Sequence, residues 1–166
     1  SFAGLWNLRR LDLDKNNIKE LRRDMFRHLS RLESLHLGEN QINHISGDTF
    51  ALLGKLKVLN LDRNGLAFIF PNAFDGLNNL ISLGLHFNEI NFIPDKIFKS
   101  LRNLSVLWLH NNKLEHLWQI TFDGLNSLQK LYLSNNVILE LKEGVFQRAN
   151  KLRQLYLDNN KLTSLR

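Results

Sequence analysis

The chain has 166 residues, of which 43% are hydrophobic and 23% charged, with a formal net charge of +6 and no cysteine. These values suit a soluble globular protein and exclude an internal disulfide framework. No apolar run approaches the roughly 18 residues of a membrane span, and no charged-then-apolar leader stands at the start, so membrane insertion of this stretch is not expected.

The charge is uneven. Residues 1–31 carry Arg9, Arg10, Lys15, Lys19, Arg22, Arg23, Arg27 and Arg31 against Asp12, Asp14, Glu20 and Asp24, whereas later segments are nearly balanced. A basic end can meet an acidic protein, a glycan or nucleic acid, or can simply be solvated surface.

From the first segment onward the chain repeats itself. Asparagines return at Asn16, Asn40, Asn64, Asn88, Asn112, Asn136 and Asn160, a spacing of 24 residues without slip. In register run the pairs Leu11/Leu13, Leu35/Leu37, Leu59/Leu61, Leu83/Leu85, Leu107/Leu109, Leu131/Leu133 and Leu155/Leu157, and the series Phe2, Phe26, Phe50, Phe74, Phe98, Phe122 and Phe146. A fixed period of this size predicts a solenoid, in which each unit buries its apolar side only against its neighbours. Residues 1–166 therefore read as one domain of seven units.

Within each unit, Leu-x-Leu has period two, so both leucines face one side and the residue between them faces the other. Seven short strands stacked in parallel about 4.8 Å apart make a sheet roughly 30 Å across. Each repeating asparagine follows its strand where the chain turns inward, and its amide can donate to and accept from backbone groups left unpaired there. The phenylalanines widen the return side and bend the stack with the sheet inside. Return arms hold Gly47, Pro71, Asp75-Gly76, Pro94, Asp123-Gly124 and Gly144, which predict irregular chain or short helical turns. Ala149 stands where a leucine is expected, leaving the last arm underfilled.

The segment Leu-Ser-Val-Leu-Trp-Leu-His-Asn-Asn-Lys-Leu at 104–114, with Phe122 and Leu125 beyond it, resembles the "typical" 24-residue class of leucine-rich repeat. That resemblance covers essentially the whole chain. It implies an α/β solenoid, a horseshoe with a concave parallel sheet and an irregular or short-helical convex side. The pattern looks like the central ectodomain repeats of Toll-like receptors, Slit-type guidance proteins and leucine-rich-repeat hormone receptors. It thereby implies an extracellular setting, secreted or cell-surface, and recognition of a protein or peptide in innate immunity or cell signalling. The cysteine-rich caps of such proteins have no counterpart here, so the chain is expected to be a run of central repeats from a longer ectodomain.

Candidate function lies at the variable positions. Between the paired leucines stand Asp12, His36, Asn60, Gly84, Trp108, Tyr132 and Tyr156; two places on stand Asp14, Gly38, Asp62, His86, His110, Ser134 and Asp158. The following place includes Arg63 and Phe87. Aromatics suit strands and pair across them, but three in a row beside Phe87, His86 and His110 point to a protein-contact surface, because Trp and Tyr are enriched at binding hot spots. Phe87, Trp108, His110, Tyr132 and Tyr156 form the expected ligand contact, with Asp12, Asp14, His36, Asp62 and Arg63 shaping charge at the other end.

His86 and His110 on adjacent strands offer two nitrogens, short of the three or four ligands zinc requires; a pH-sensitive contact or ordinary surface are the other readings. No metal or other cofactor is expected. Ser134, His110 and Asp158 superficially resemble a hydrolase triad, but Ser134 lies between the other two across the sheet, so Asp158 cannot orient His110, and no catalysis is expected. Phe68, Phe92, Phe70, Pro94 and Trp118 line the exit from the sheet, where packing of return arms against each other is the preferred reading, with dimerisation or a coreceptor contact the alternative if the rings are exposed. Asn103-Leu104-Ser105 is a glycosylation sequon. Two further functions stay open: nucleic-acid or polyanion recognition through the basic N-terminal repeats, and a structural or adhesive spacer that homodimerises.

Overall fold

A computed structural model describes residues 1–165. Strands Arg10–Asp12, Ser34–His36, Val58–Asn60, Ser82–Gly84, Val106–Trp108, Lys130–Tyr132 and Gln154–Tyr156 form one parallel seven-stranded sheet in chain order. Each pairs with its neighbour at an offset of one repeat, so Leu11, Leu35, Leu59, Leu83, Leu107, Leu131 and Leu155 lie side by side. The five central ones are fully buried, each contributing about 1.5–3 kcal/mol of apolar burial. Leu155, on the last strand, is 37% exposed because only one side of it is covered.

The sheet ends where it does because the backbone turns left-handed. Lys15, Glu39, Arg63, Phe87, Asn111, Asn135 and Asn159 all have φ between 52° and 59°, one residue before each repeating asparagine. That turn swings the asparagine under the sheet. Asn112 Nδ2 donates to the carbonyls of Leu109 and, in the preceding unit, Leu85, while its Oδ1 accepts from the Ile90 amide. Asn40, Asn64, Asn88, Asn136 and Asn160 repeat the same bridge to the preceding unit. Asn16, in the first unit, bonds within its own turn, to the Leu13 and Asp14 carbonyls. These bonds satisfy buried backbone groups that the strands leave free.

The phenylalanines from Phe26 to Phe122 are buried on the return side, with ring centroids 5.9 Å apart for Phe26–Phe50 and 6.3 Å for Phe50–Phe74. This side holds almost no helix: among the described residues only Arg23–Phe26 forms a 3-10 turn. The arms are successions of tight turns, many closed by a bond three residues back, such as Leu53 N to Phe50 O and Leu101 N to Phe98 O.

A second row of pairing runs along one flank, beyond what Leu-x-Leu periodicity predicts. His44–Ile45 pairs with Phe68–Ile69, and His116–Leu117 with Glu140–Leu141. Between them the row breaks at Pro94. The Phe70 amide bonds to Ile45 O, but the equivalent residue one repeat on is Pro94, which has no N–H to give to Ile69.

Candidate functional site

Each short strand turns its middle leucine into the core and the next residue outward, and the parallel register sets those outward side chains in a row. At the C-terminal end the row becomes a column of rings. Trp108 lies on Tyr132 at 4.2 Å and 5°, and Tyr132 lies on Tyr156 at 4.6 Å and 2°. The strand spacing is close to the thickness of a stacked ring pair, so equivalent aromatics on adjacent parallel strands stack face to face. Stacking half-buries Trp108 and Tyr132, whereas Tyr156 at the end of the column is 39% exposed. Burial, with Tyr156 alongside, raises the Tyr132 hydroxyl above its ordinary value.

The histidine row adjoins this column. His86 and His110 stack at 4.6 Å, and Trp108 stands 5.8 Å from His86 and 6.0 Å from His110. Phe87 completes the group at 5.5 Å from His110, its ring capped by the Arg63 guanidinium at 4.0 Å. Burial, followed by the neighbouring His110 and Arg63, pushes His86 down to about 4. His110 is lowered as well, chiefly by burial and then by Arg63, with Asp62 opposing. His86 is therefore neutral near pH 7, and its Nε2, 3.8 Å from Asp62 Oδ2, forms no ion pair there.

Phe87, Trp108, His110, Tyr132, Tyr156, His86 and Arg63 thus come together in one surface. Asp12 and Asp14 do not join it, and His36 meets it only at the wall of a cavity shared with His86 and Trp108. Asp14 Oδ1 accepts from the Gly38 amide at 2.7 Å, Asp12 accepts from the Asp14 amide, and His36 Nε2 lies 2.8 Å from Ser34 Oγ. Asp62 sits between the groups, 3.6 Å from Arg63. The triad geometry is absent: Ser134 Oγ donates to Asp158 Oδ1 at 2.5 Å, which directs its proton away from His110. Among the described residues no three His, Cys, Asp or Glu side chains gather as metal ligands.

Two features lie outside the expected set. Gly84 interrupts the outward row, and a cavity of about 260 Å³ opens there, lined by His36, Asn60, Ser82, His86 and Trp108. An absent side chain beside an aromatic row is a signal readable in the sequence. On the flank, Phe68, Phe70, Phe92 and Trp118 are 42–52% exposed, which corrects the expectation that these rings pack the return arms together. Only Pro94 of that group is buried. The flank pairs turn alternate residues outward, so Phe68 is exposed while Ile69 is buried.

The leucine rich repeat family profile matches residues 6–66, 43–90, 54–112, 78–138 and 128–166. This chain belongs to the leucine-rich repeat family. The crystal structure of a TLR13–ssRNA13 complex is similar to this leucine-rich repeat chain, with a TM-score of 0.91 and 32% identity over 99% of this chain and 26% of that one. The chain thus spans about a quarter of that receptor structure's length. A comparison with curated proteins finds no match. No helix among the described residues of this leucine-rich repeat stack is long and apolar enough to cross a membrane.

Proposed function

We propose that this leucine-rich repeat stack is a protein-binding module, whose ligand sits on the concave sheet against Phe87, Trp108, His110, Tyr132 and Tyr156. The observation that carries this reading is the ring column. Three large rings stacked at strand spacing have little further conformational freedom to give up on binding, and Trp and Tyr are enriched among residues that dominate interface energetics. The parent protein is then an extracellular receptor or secreted recognition protein, in keeping with the Toll-like receptor whose ligand complex it resembles. The test is capture of proteins from extracellular fluid and cell surfaces by the wild-type chain and by a Trp108/Tyr132/Tyr156 triple-alanine variant, both verified as folded. A protein captured only by wild type supports the reading; equal capture by both overturns it.

A second reading is favoured by one observation, that the similar structure was solved with RNA. Nucleic acid would use the basic N-terminal repeats. Asp12, Asp14 and Asp62 on the same face oppose it by repelling phosphate. Polyanion binding falls steeply with salt, so salt-insensitive capture rejects this alternative. The exposed flank rings suit a homodimer, which sedimentation velocity tests. Asn103, exposed with Nδ2 donating to Asn78 O at 2.8 Å, is the proposed glycan position, read by a mass shift on deglycosylation.

A further inference from the structure

Gly84 occupies the middle of the sheet on the outward row, at the position filled by a ring in each of the next three strands. Nothing in its backbone calls for glycine: it is absent from the positive-φ positions, which include Gly4, Gly76, Gly124 and Gly144. Glycine inside a strand weakens it, and often marks close approach by a ligand. A side chain there would meet the Asn60 amide oxygen at 2.4 Å and the His86 ring at 3.3 Å, so these two side chains lean over the glycine and bound the gap.

The gap lies directly beside the ring column. Tyr132 covers one face of the Trp108 indole, so the opposite face borders the cavity at Gly84. The Asn60 amide and the Ser82 hydroxyl stand at the walls, and the indole Nε1 reaches Ser82 Oγ at 3.4 Å. The lining contains no lysine or arginine. On the N-terminal side the nearest rows carry the carboxylates of Asp14 and of Asp62, the latter 3.6 Å from the Arg63 guanidinium that also caps Phe87. A flat, apolar-faced slot with polar walls and no cation in its lining suits a neutral ring, and is poorly suited to a phosphodiester.

We propose that the cavity at Gly84 is a subsite for one tyrosine or tryptophan side chain of the protein partner, which stacks on the open face of Trp108 and extends the ring column by one. This deepens, and rests on, the concave-face protein-binding reading.

The test is a titration of the isotope-labelled chain with N-acetyl-tryptophanamide, N-acetyl-leucinamide and adenosine, following the Trp108 indole and Gly84 amide resonances. The tryptophan probe is expected to move both resonances saturably, and the leucine probe neither. Gly84→Phe fills the slot with its own ring, and is expected to weaken the tryptophan probe by about two- to tenfold, the loss of a stacked contact. If the larger ring disturbs folding, Gly84→Val, β-branched and suited to a strand, partly fills the slot and weakens the same probe. No shift at Trp108 and Gly84, or equal affinity for the tryptophan and leucine probes, overturns the subsite. Adenosine binding as tightly as the tryptophan probe overturns the side-chain assignment in favour of a nucleobase. No natural partner is needed, so the two readings fail separately. Capture without probe binding removes the subsite alone, whereas probe binding without protein capture leaves a ring-binding slot but removes the concave-face reading and with it the assignment to a partner's side chain.

Discussion

The indole of Trp108 lies flat on the phenol of Tyr132, with centroids 4.2 Å apart and planes within 5° of parallel. The two residues are 24 positions apart in the chain and directly paired in the sheet. The stack therefore presents a rigid surface that neither ring forms alone.

Replacing Trp108 by alanine separates recognition from stability. The half-buried indole contributes to the fold a stacking term of about 0.5–1.5 kcal/mol together with the apolar area it covers, so the denaturant midpoint falls while the stack stays folded. Ligand affinity is expected to fall by roughly 2 kcal/mol or more, the hot-spot threshold. Calorimetry with the captured partner, alongside a urea melt, checks both; unchanged affinity removes Trp108 from the contact.

Phe87 holds φ 54°, a left-handed conformation that is costly for a bulky residue, whereas three other repeats place asparagine there. Phe87→Asn exchanges ring contacts for backbone relief of about 1 kcal/mol. Its unfolding midpoint is expected to equal or exceed that of wild type while binding weakens. A clearly lower midpoint would show that the aromatic cluster stabilises the stack more than the turn strains it.

Asn112 is buried and holds the Ile90 amide and two carbonyls. Asn112→Ala orphans that amide and is expected to cost about 2–4 kcal/mol. Phe98→Ala, which empties a site buried among return arms, is expected to cost about 3–5 kcal/mol. Hydrogen exchange at the Ile90 amide distinguishes the two variants, since only the asparagine change removes its acceptor.

His86 has a folded-state value of about 4, below the ordinary 6.5 of the unfolded chain. The unfolded state then binds the extra proton between those values. The contribution of a neutral His86 is present above pH 6.5, and it is lost as pH falls towards 4. The loss is about 1–2 kcal/mol once solvent screening is allowed for. Melts from pH 7.5 to 4 should show the decline in wild type and a shallower one in His86→Gln; parallel curves reject the burial account.

The 24-residue period, the seven strands, the asparagine bridges and the phenylalanine column were all legible from residue order. Each depends on which residue type recurs at which place, and a solenoid converts that periodicity into neighbourhood by a fixed rule. The candidate aromatic row was legible for the same reason. The tertiary structure alone decided which rings touch and which remain open. Side-chain rotation brings Arg63 over Phe87 and buries His86 beside His110, an arrangement that spacing does not specify. The flank rings that spacing assigned to packing are exposed, because the paired strands there turn Phe68 outward and Ile69 inward. At Gly84 the sequence shows only a missing side chain. The cavity there is walled by Trp108, which is stacked on Tyr132 of the next strand, and that contact exists only in the folded stack.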